Sequence, residues 1–284
     1  MGQALVDSIV LVKETGYSSG GERIHPSQGF GLPELANAVQ SDDLDGVYHK
    51  ESLRALRQRL LSLHATGLFS NDGTPLSDLL VPGRVSVILL ERLPDSYRTA
   101  VVSVLTRRAF VARGETAFAE KRLALDPDLN SDTRKTLEDA VALGVPKTVI
   151  VLDEAQSFLA PGPSSPAREV FVRLVKEGRN IGLSATLATQ QPSALDRRIL
   201  SQVETFIAHQ LVTESDIKAV RDNLKSGLPE SINFGRLDLD LAGTLRHLDP
   251  GVCFVSSADM NTMPRRAVIV AIRPRATVHG GIEL

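Results

Sequence analysis

The chain has 284 residues, 42% hydrophobic and 23% charged, with a formal net charge of −2. That is ordinary globular composition, long enough for one large domain or one and a half, and it supplies no overall basic field, so any contact with nucleic acid has to rest on local positive charge. A single cysteine, Cys253, excludes an internal disulfide, speaks against a zinc site built on cysteines and fits a reducing cytoplasm. No apolar run approaches the roughly 20 residues that span a bilayer. The N-terminus lacks the basic flank and long apolar stretch of a secretory signal. Tryptophan is absent and aromatics make up 4%, which speaks against base-stacking platforms for single strands.

Residues 7–13 hold a short apolar run and read as a strand, and 15–30, rich in Gly and Ser, read as a loop. Over 33–63, Leu53, Leu56, Leu60 and Leu61 return at helical intervals. Turns fall at 70–75 and 81–83, and the second leads into Val85-Ser86-Val87-Ile88-Leu89-Leu90, which reads as a buried strand. A helix is expected over 95–113, with Val101, Val102, Leu105 and Phe110 apolar; 114–146 is polar and largely helical, the pattern of a surface insertion. A strand follows at 147–153, a loop at 161–166, an amphipathic helix at 167–178 carrying Val170, Phe171, Leu174 and Val175 on one side, and a strand at 182–189. Pro192 stands at the start of a helix, where its missing N–H costs nothing. A strand at 204–211, helices at 215–224 and 236–248, and closing strands at 251–256 and 267–272 complete the chain. Strands alternating with helices predict an α/β fold whose sheet is mostly parallel. Cys253 and His209 fall on strands and read as structural residues.

The stretch that carries chemistry is Val149-Ile150-Val151-Leu152-Asp153-Glu154. Ligands of parallel α/β sheets sit beyond the carboxyl ends of the strands, where Asp153 and Glu154 emerge. Nucleotide hydrolysis needs two acids there with different tasks. One orients the Mg²⁺ shell bridging the β- and γ-phosphates, assigned to Asp153. The other positions and polarises the attacking water, assigned to Glu154. The plain alternative is a strand that ends in a solvated acidic turn.

Downstream, residues 176–179 read Lys-Glu-Gly-Arg, and 188–202 read Ala-Thr-Gln-Gln-Pro-Ser-Ala-Leu-Asp-Arg-Arg-Ile-Leu-Ser-Gln, running into Val203-Glu204-Thr205-Phe206-Ile207-Ala208. Together with Asp153-Glu154-Ala155 this ordered set resembles the HerA/FtsK group of ring-forming P-loop ATPases, the HerA-type DNA translocases in particular, over residues 82–274. The resemblance implies a RecA-like P-loop NTPase core of mostly parallel sheet flanked by helices. Residues 81–284 would be that core, and 1–80 an N-terminal segment with a helical insertion. It further implies ATP and Mg²⁺ as cofactors, a homo-oligomeric, hexameric ring, and duplex DNA bound through its phosphates without sequence specificity. A companion nuclease or other effector, a cytoplasmic location and no membrane complete what it implies. Position by position, it matches Glu154 to the catalytic acid and Gln190 to the polar sensor that touches the γ-phosphate. Arg179 matches the arginine that reaches the neighbouring subunit's nucleotide. Asp153, Glu154 and Gln190 would then hold the nucleotide, with Asp153 meeting Mg²⁺ through water. Arg197 and Arg198 are explained as well by a solvated helix face. Gln156 stands where the family often has histidine.

The 284 residues contain no Gly-x-x-x-x-Gly-Lys-Ser/Thr phosphate loop. Gly16 to Gly21 is its nearest imitation, but Glu22-Arg23 follows, and the backbone cradle and bridging lysine that phosphates need are missing. The chain is therefore expected to be the C-terminal portion of such an ATPase, its core N-terminally incomplete and its isolated form inactive. Two other readings stay open. Asp153-Glu154-Ala155 and Ser184-Ala185-Thr186 imitate two motifs of DEAD-box-type helicases, against which stand Gln156 and the 188–202 run. A degenerate, non-hydrolysing module for assembly or partner binding fits the missing loop.

Overall fold

The first buried residues are spaced for a helix: Ala4, Ser8 and Val12 lie four apart, and the Ser8 hydroxyl donates to the Ala4 carbonyl. α1 (Gly2–Val10) runs into one π-helical turn, Leu11–Thr15, and Gly16, at φ 74°, ends it. The strand expected at 7–13 is thus helical, because a short apolar run does not by itself distinguish the two periods. The computed structural model describes the chain except residues 1, 28, 71–72, 164, 225–231, 235–236, 258–266 and 275–284. It divides into two compact units, Met1–Pro75 and Leu76–Leu284.

In the first unit the Gly-rich segment expected as a loop is a hairpin, β1 (Tyr17–Ser19) against β2 (Glu22–Ile24). Its turn residues Gly20 and Gly21 have φ of 58° and 84°, the left-handed region that a two-residue hairpin turn demands of both positions. The helical pattern over 33–63 resolves into α2 (Leu32–Ala38) and α3 (Lys50–Ala65). Pro33 occupies the first turn of α2, and the Glu34 side chain accepts the Gly31 N–H at 2.8 Å. Leu35, Ala36 and Val39 pack with Leu53, Leu56 and Leu60 as the core of this unit. The turn expected at 70–75 includes residues 71–72, which lie outside the described residues.

The second unit opens with α4 (Leu76–Leu79) and then the run 85–90. That run joins no sheet among the described residues, and Val85, Val87, Ile88 and Leu89 are exposed. β-branched composition favours a pleated strand only where a neighbour pairs with it, and this run has none. α5 (Asp95–Leu125) is one helix of 31 residues that continues through Gly114, past the expected end at 113. α6 (Ser131–Ala142) follows, capped by the Asn130 side chain, which accepts the Thr133 N–H at 2.7 Å.

β3 (Thr148–Leu152) leads through the short α7 (Gln156–Leu159) and α8 (Pro166–Glu177) to β4 (Leu183–Leu187). The crossover returns the chain parallel to β3. α8 forms because Pro166 sits in its first turn and because Ala167, Val170, Phe171 and Leu174 fall on one face, all buried. That face covers β3 and β4 through Ile150, Leu152, Ala185 and Leu187. On the opposite face Val149 and Val151 stay exposed.

The remaining elements are α9 (Arg197–Leu200), β5 (Thr205–Ala208), α10 (Glu214–Asn223), β6 (Ile232–Phe234), β7 (Leu237–Leu239), α11 (Leu241–Arg246), β8 (Val252–Ser257) and β9 (Ala267–Ala271). β5, β8 and β9 form an antiparallel sheet in the order β5-β8-β9, and β6 pairs antiparallel with β7. The fold is mixed α/β. The sheet expected to be mostly parallel is parallel only at β3–β4 among the described residues. Within the helix expected at 236–248, residue 236 lies outside the described residues, 237–239 are strand, and α11 starts where Asp240 caps it by accepting the Gly243 N–H at 2.7 Å. No described helix is long and apolar enough to cross a membrane.

Candidate functional site

The parallel register fixes what meets at the carboxyl end of the pair. Leu152 lies beside Leu187, and the pairing continues past the strands: Ala188 N–H donates to Leu152 O, and Ala155 N–H to Ala188 O, each at 2.9 Å. The turn 153–156 is therefore laid directly beside 188–191. Ala155 and Leu159 are fully buried against Phe171, Leu195 and Ile199, so the turn is anchored from below while its acids face solvent.

Glu154 has φ 49°, the only positive value at a non-glycine among the described residues. A side chain held in this region costs free energy, and such residues gather at functional sites. Both oxygens of its carboxylate are engaged. Gln156 Nε2 donates to Oε2 at 2.6 Å, and Gln190 Nε2 donates to Oε1 at 3.0 Å. Gln156 is itself held, since Thr189 Oγ1 donates to its Oε1 at 2.6 Å, and Gln191 N–H donates to Thr189 Oγ1 at 3.0 Å. An unbroken chain of hydrogen bonds thus runs from the backbone after β4 to the Glu154 carboxylate. Gln156 and Thr189 were not singled out for this from sequence; the signal was a second amide two residues past the acid, readable only once the parallel register is known.

Asp153 Oδ1 accepts the Glu154 N–H at 2.9 Å, and among the described residues no hydrogen bond engages Oδ2. One free carboxylate oxygen at a strand end suits the outer shell of Mg²⁺, an ion that keeps most of its waters and leans on one or two carboxylates plus phosphate. Among the described residues no group of three or more His, Cys, Asp or Glu forms a metal cage.

Arg179 lies elsewhere. It belongs to the 3₁₀ turn Gly178–Ile181 that enters β4, at the opposite end of the strand pair from the acids. Its exposed guanidinium pairs with Glu204 at 3.3 Å. Gly178 is required beside it, because a Cβ there would stand 2.3 Å from the Leu183 carbonyl oxygen. Arg198 is structural: it pairs with Asp196 and Glu169, and Arg168, nearly buried, binds Asp196 and donates to the carbonyls of Ala160 and Gly162. Hydrogen bonds from Arg198 hold the Asp196 and Glu169 carboxyls below the usual carboxylate range. Arg197 is exposed. Ser184 and Thr186 lie inside β4.

No family model matches the chain. Among curated proteins it is 32% identical over 143 residues to the DNA double-strand break repair helicase HerA of Pyrococcus furiosus, a match that takes in 48% of this chain and 25% of that protein. With the HerA of Saccharolobus solfataricus it shares 28% over 155 residues, 53% of this chain and 27% of the relative. With that of Sulfurisphaera tokodaii it shares 26% over 159 residues, 55% and 28%. The chain is HerA-like. These matches span about a quarter of the length of the curated relatives. Among solved structures, the genome packaging NTPase B204 of Sulfolobus turreted icosahedral virus 2, in complex with ATP-gammaS, aligns at 15% identity and a TM-score of 0.38, over 71% of this chain and 73% of that one.

Proposed function

We propose that this chain is part of a HerA-type ATP-dependent DNA translocase or helicase, with a RecA-like core. The observation that carries the reading is the Glu154 carboxylate held at the end of one parallel strand by Gln190 from the end of the next. Glu154 orients and polarises the water that attacks the γ-phosphate, and Gln190 reports the phosphate's presence by exchanging its bond to Glu154 for one to the ligand. Asp153 would hold Mg²⁺ through its water shell, and Mg²⁺, when bound with ATP, would neutralise charge on the transferring phosphoryl group. Arg179, at the far end of the strand pair, is out of reach of its own Glu154 and serves a neighbouring subunit. That is the geometry a head-to-tail ring, here a hexamer, supplies. Duplex DNA is the substrate moved, through phosphate contacts, and a nuclease or other effector is the companion.

The isolated 284 residues hold no phosphate loop and are proposed to hydrolyse ATP negligibly. The test is a turnover assay of the purified chain with Mg²⁺, ATP and duplex DNA. Background hydrolysis is expected, and turnover that disappears on Glu154→Gln would contradict it. A second reading, a non-hydrolysing module for assembly, is favoured by one feature: each oxygen of Glu154 already accepts a hydrogen bond from a glutamine amide, which takes one of its two lone pairs and ties the carboxylate into a structural network. Under that reading Glu154→Gln alters no activity in any assembly that contains the chain.

A further inference from the structure

The outer face of α5 repeats by heptads. Val104, Val111, Phe118 and Leu125 are seven residues apart and between 51% and 80% exposed, while the inner face of the same helix, through Val102, Thr106, Ala109, Arg113 and Ala117, is buried. The four apolar side chains make a seam about 32 Å long at 1.5 Å per residue. One apolar side chain in every seven residues makes a single narrow ridge along the helix, bordered by charged residues and the bare Gly114, a shape that a second α-helix can lie along with its own apolar stripe. Midway along it a shallow hollow is lined by Phe110, Val111, Gly114, Glu115, Phe118 and Arg173. A Cβ on Gly114 would meet nothing within 4 Å, so bare backbone forms part of the hollow, open to a knob from a facing helix. Arg173, 4.7 Å from the Phe110 ring centre, closes one side.

Charge says which helix fits. Arg107 and Lys121 flank the seam on one side, and Arg108 and Arg122 on the other. None of these four has a hydrogen-bond or ion-pair partner among the described residues. Of the two acids between them, Glu120 is paired with the buried Arg113 and Glu115 lies beside the seam; Asp126 and Asp128 come after the last seam residue. A second copy of this face would set cations against cations. The phosphates of nucleic acid would answer the charge but leave four apolar side chains facing water. From the seam, the hollow and the unpaired cations we infer that α5 docks an acidic amphipathic helix of a partner protein, apolar at heptad positions and carrying Glu or Asp on its flanks. This inference does not depend on ATP hydrolysis by the chain.

The test uses the 284-residue chain and fluorescently labelled synthetic helices of about four heptads, with Leu at the seam and either Glu or Lys at the flanks. Anisotropy is expected to show binding of the Glu-flanked helix, weakened by salt, and none of the Lys-flanked one. Val111→Glu and Phe118→Glu, and separately Arg108→Glu with Arg122→Glu, should each weaken binding more than tenfold. Leu143→Glu, an exposed apolar site off the seam, should not. Melting curves check the folding of each variant. If the seam variants fail to fold, hydrogen exchange on the parent chain decides, with protection by the Glu-flanked helix expected over 104–125. Four results overturn the proposal: no binding, equal binding of both helices, a dimer of the chain that Phe118→Glu dissolves, or duplex DNA binding that the same substitution abolishes.

Discussion

Glu154 is the residue on which conformation and chemistry collide. Its φ of 49° is a region glycine enters freely and glutamate does not. Glu154→Gly removes the carboxylate and relieves the strain, so the melting midpoint should stay level or rise, by up to about 1 kcal/mol of stability. A marked fall would show that the two amide contacts, and not the backbone, dominate the energetics of the turn. The placing of Asp153, Glu154 and Gln190 just beyond strand ends was legible in the sequence, because apolar runs ending in polar residues reveal strand ends. The contacts of Gln156 and Thr189 were not: their contribution depends on which strand lies beside which, and a register of residues more than 30 apart is not written in local pattern. Arg179 was marked as well, but its pairing with Glu204 emerges only from the fold.

Elements around the β3–β4 pair are held to one another by two buried or half-buried arginine clusters. Arg113, side chain 1% exposed, pairs with Glu120 on the same helix at 2.6 Å and reaches from α5 to the Val145 carbonyl at 3.3 Å, just ahead of β3. Removing it leaves Glu120 without its cation and the carbonyl without its donor, so Arg113→Ala should cost about 3 kcal/mol in a denaturant titration. Around α8 and α9, Arg198 holds Asp196 and Glu169 below their ordinary range. A carboxyl whose folded pKa is depressed stabilises the fold above its unfolded value and loses that contribution as pH falls through the folded one. Arg198→Gln should therefore lower the melting temperature near neutral pH, and the gap to the parent should close as the medium is acidified through the depressed folded-state titration of these two carboxyls. A gap independent of pH would mean that the arginine acts by packing alone. The helices α8 and α10 were readable from apolar spacing. The run 85–90 was not: its composition promised a buried strand, but a strand is a product of pairing, and its Val and Leu side chains remain exposed. The hairpin at Gly20-Gly21 was hidden inside a segment whose Gly and Ser content reads equally as loop.

At the scale of the molecule, β3 and β4 are covered on one face only, with Val149 and Val151 exposed on the other. Parallel pairs are ordinarily buried on both faces. The alternation of strands and helices conveyed a mixed α/β fold. It overstated the parallel content because β5, β8 and β9 have antiparallel partners that alternation cannot reveal. The account stands or falls on whether Glu154 acts as the hydrolytic acid when the neighbouring phosphate machinery is supplied. The direct measurement places this chain's HerA-matching segment in the corresponding stretch of Pyrococcus furiosus HerA and follows ATP hydrolysis of the chimera with and without duplex DNA. Hydrolysis that falls at least about 100-fold on Glu154→Gln, with nucleotide binding retained, is the predicted result. Hydrolysis indifferent to Glu154→Gln would contradict it.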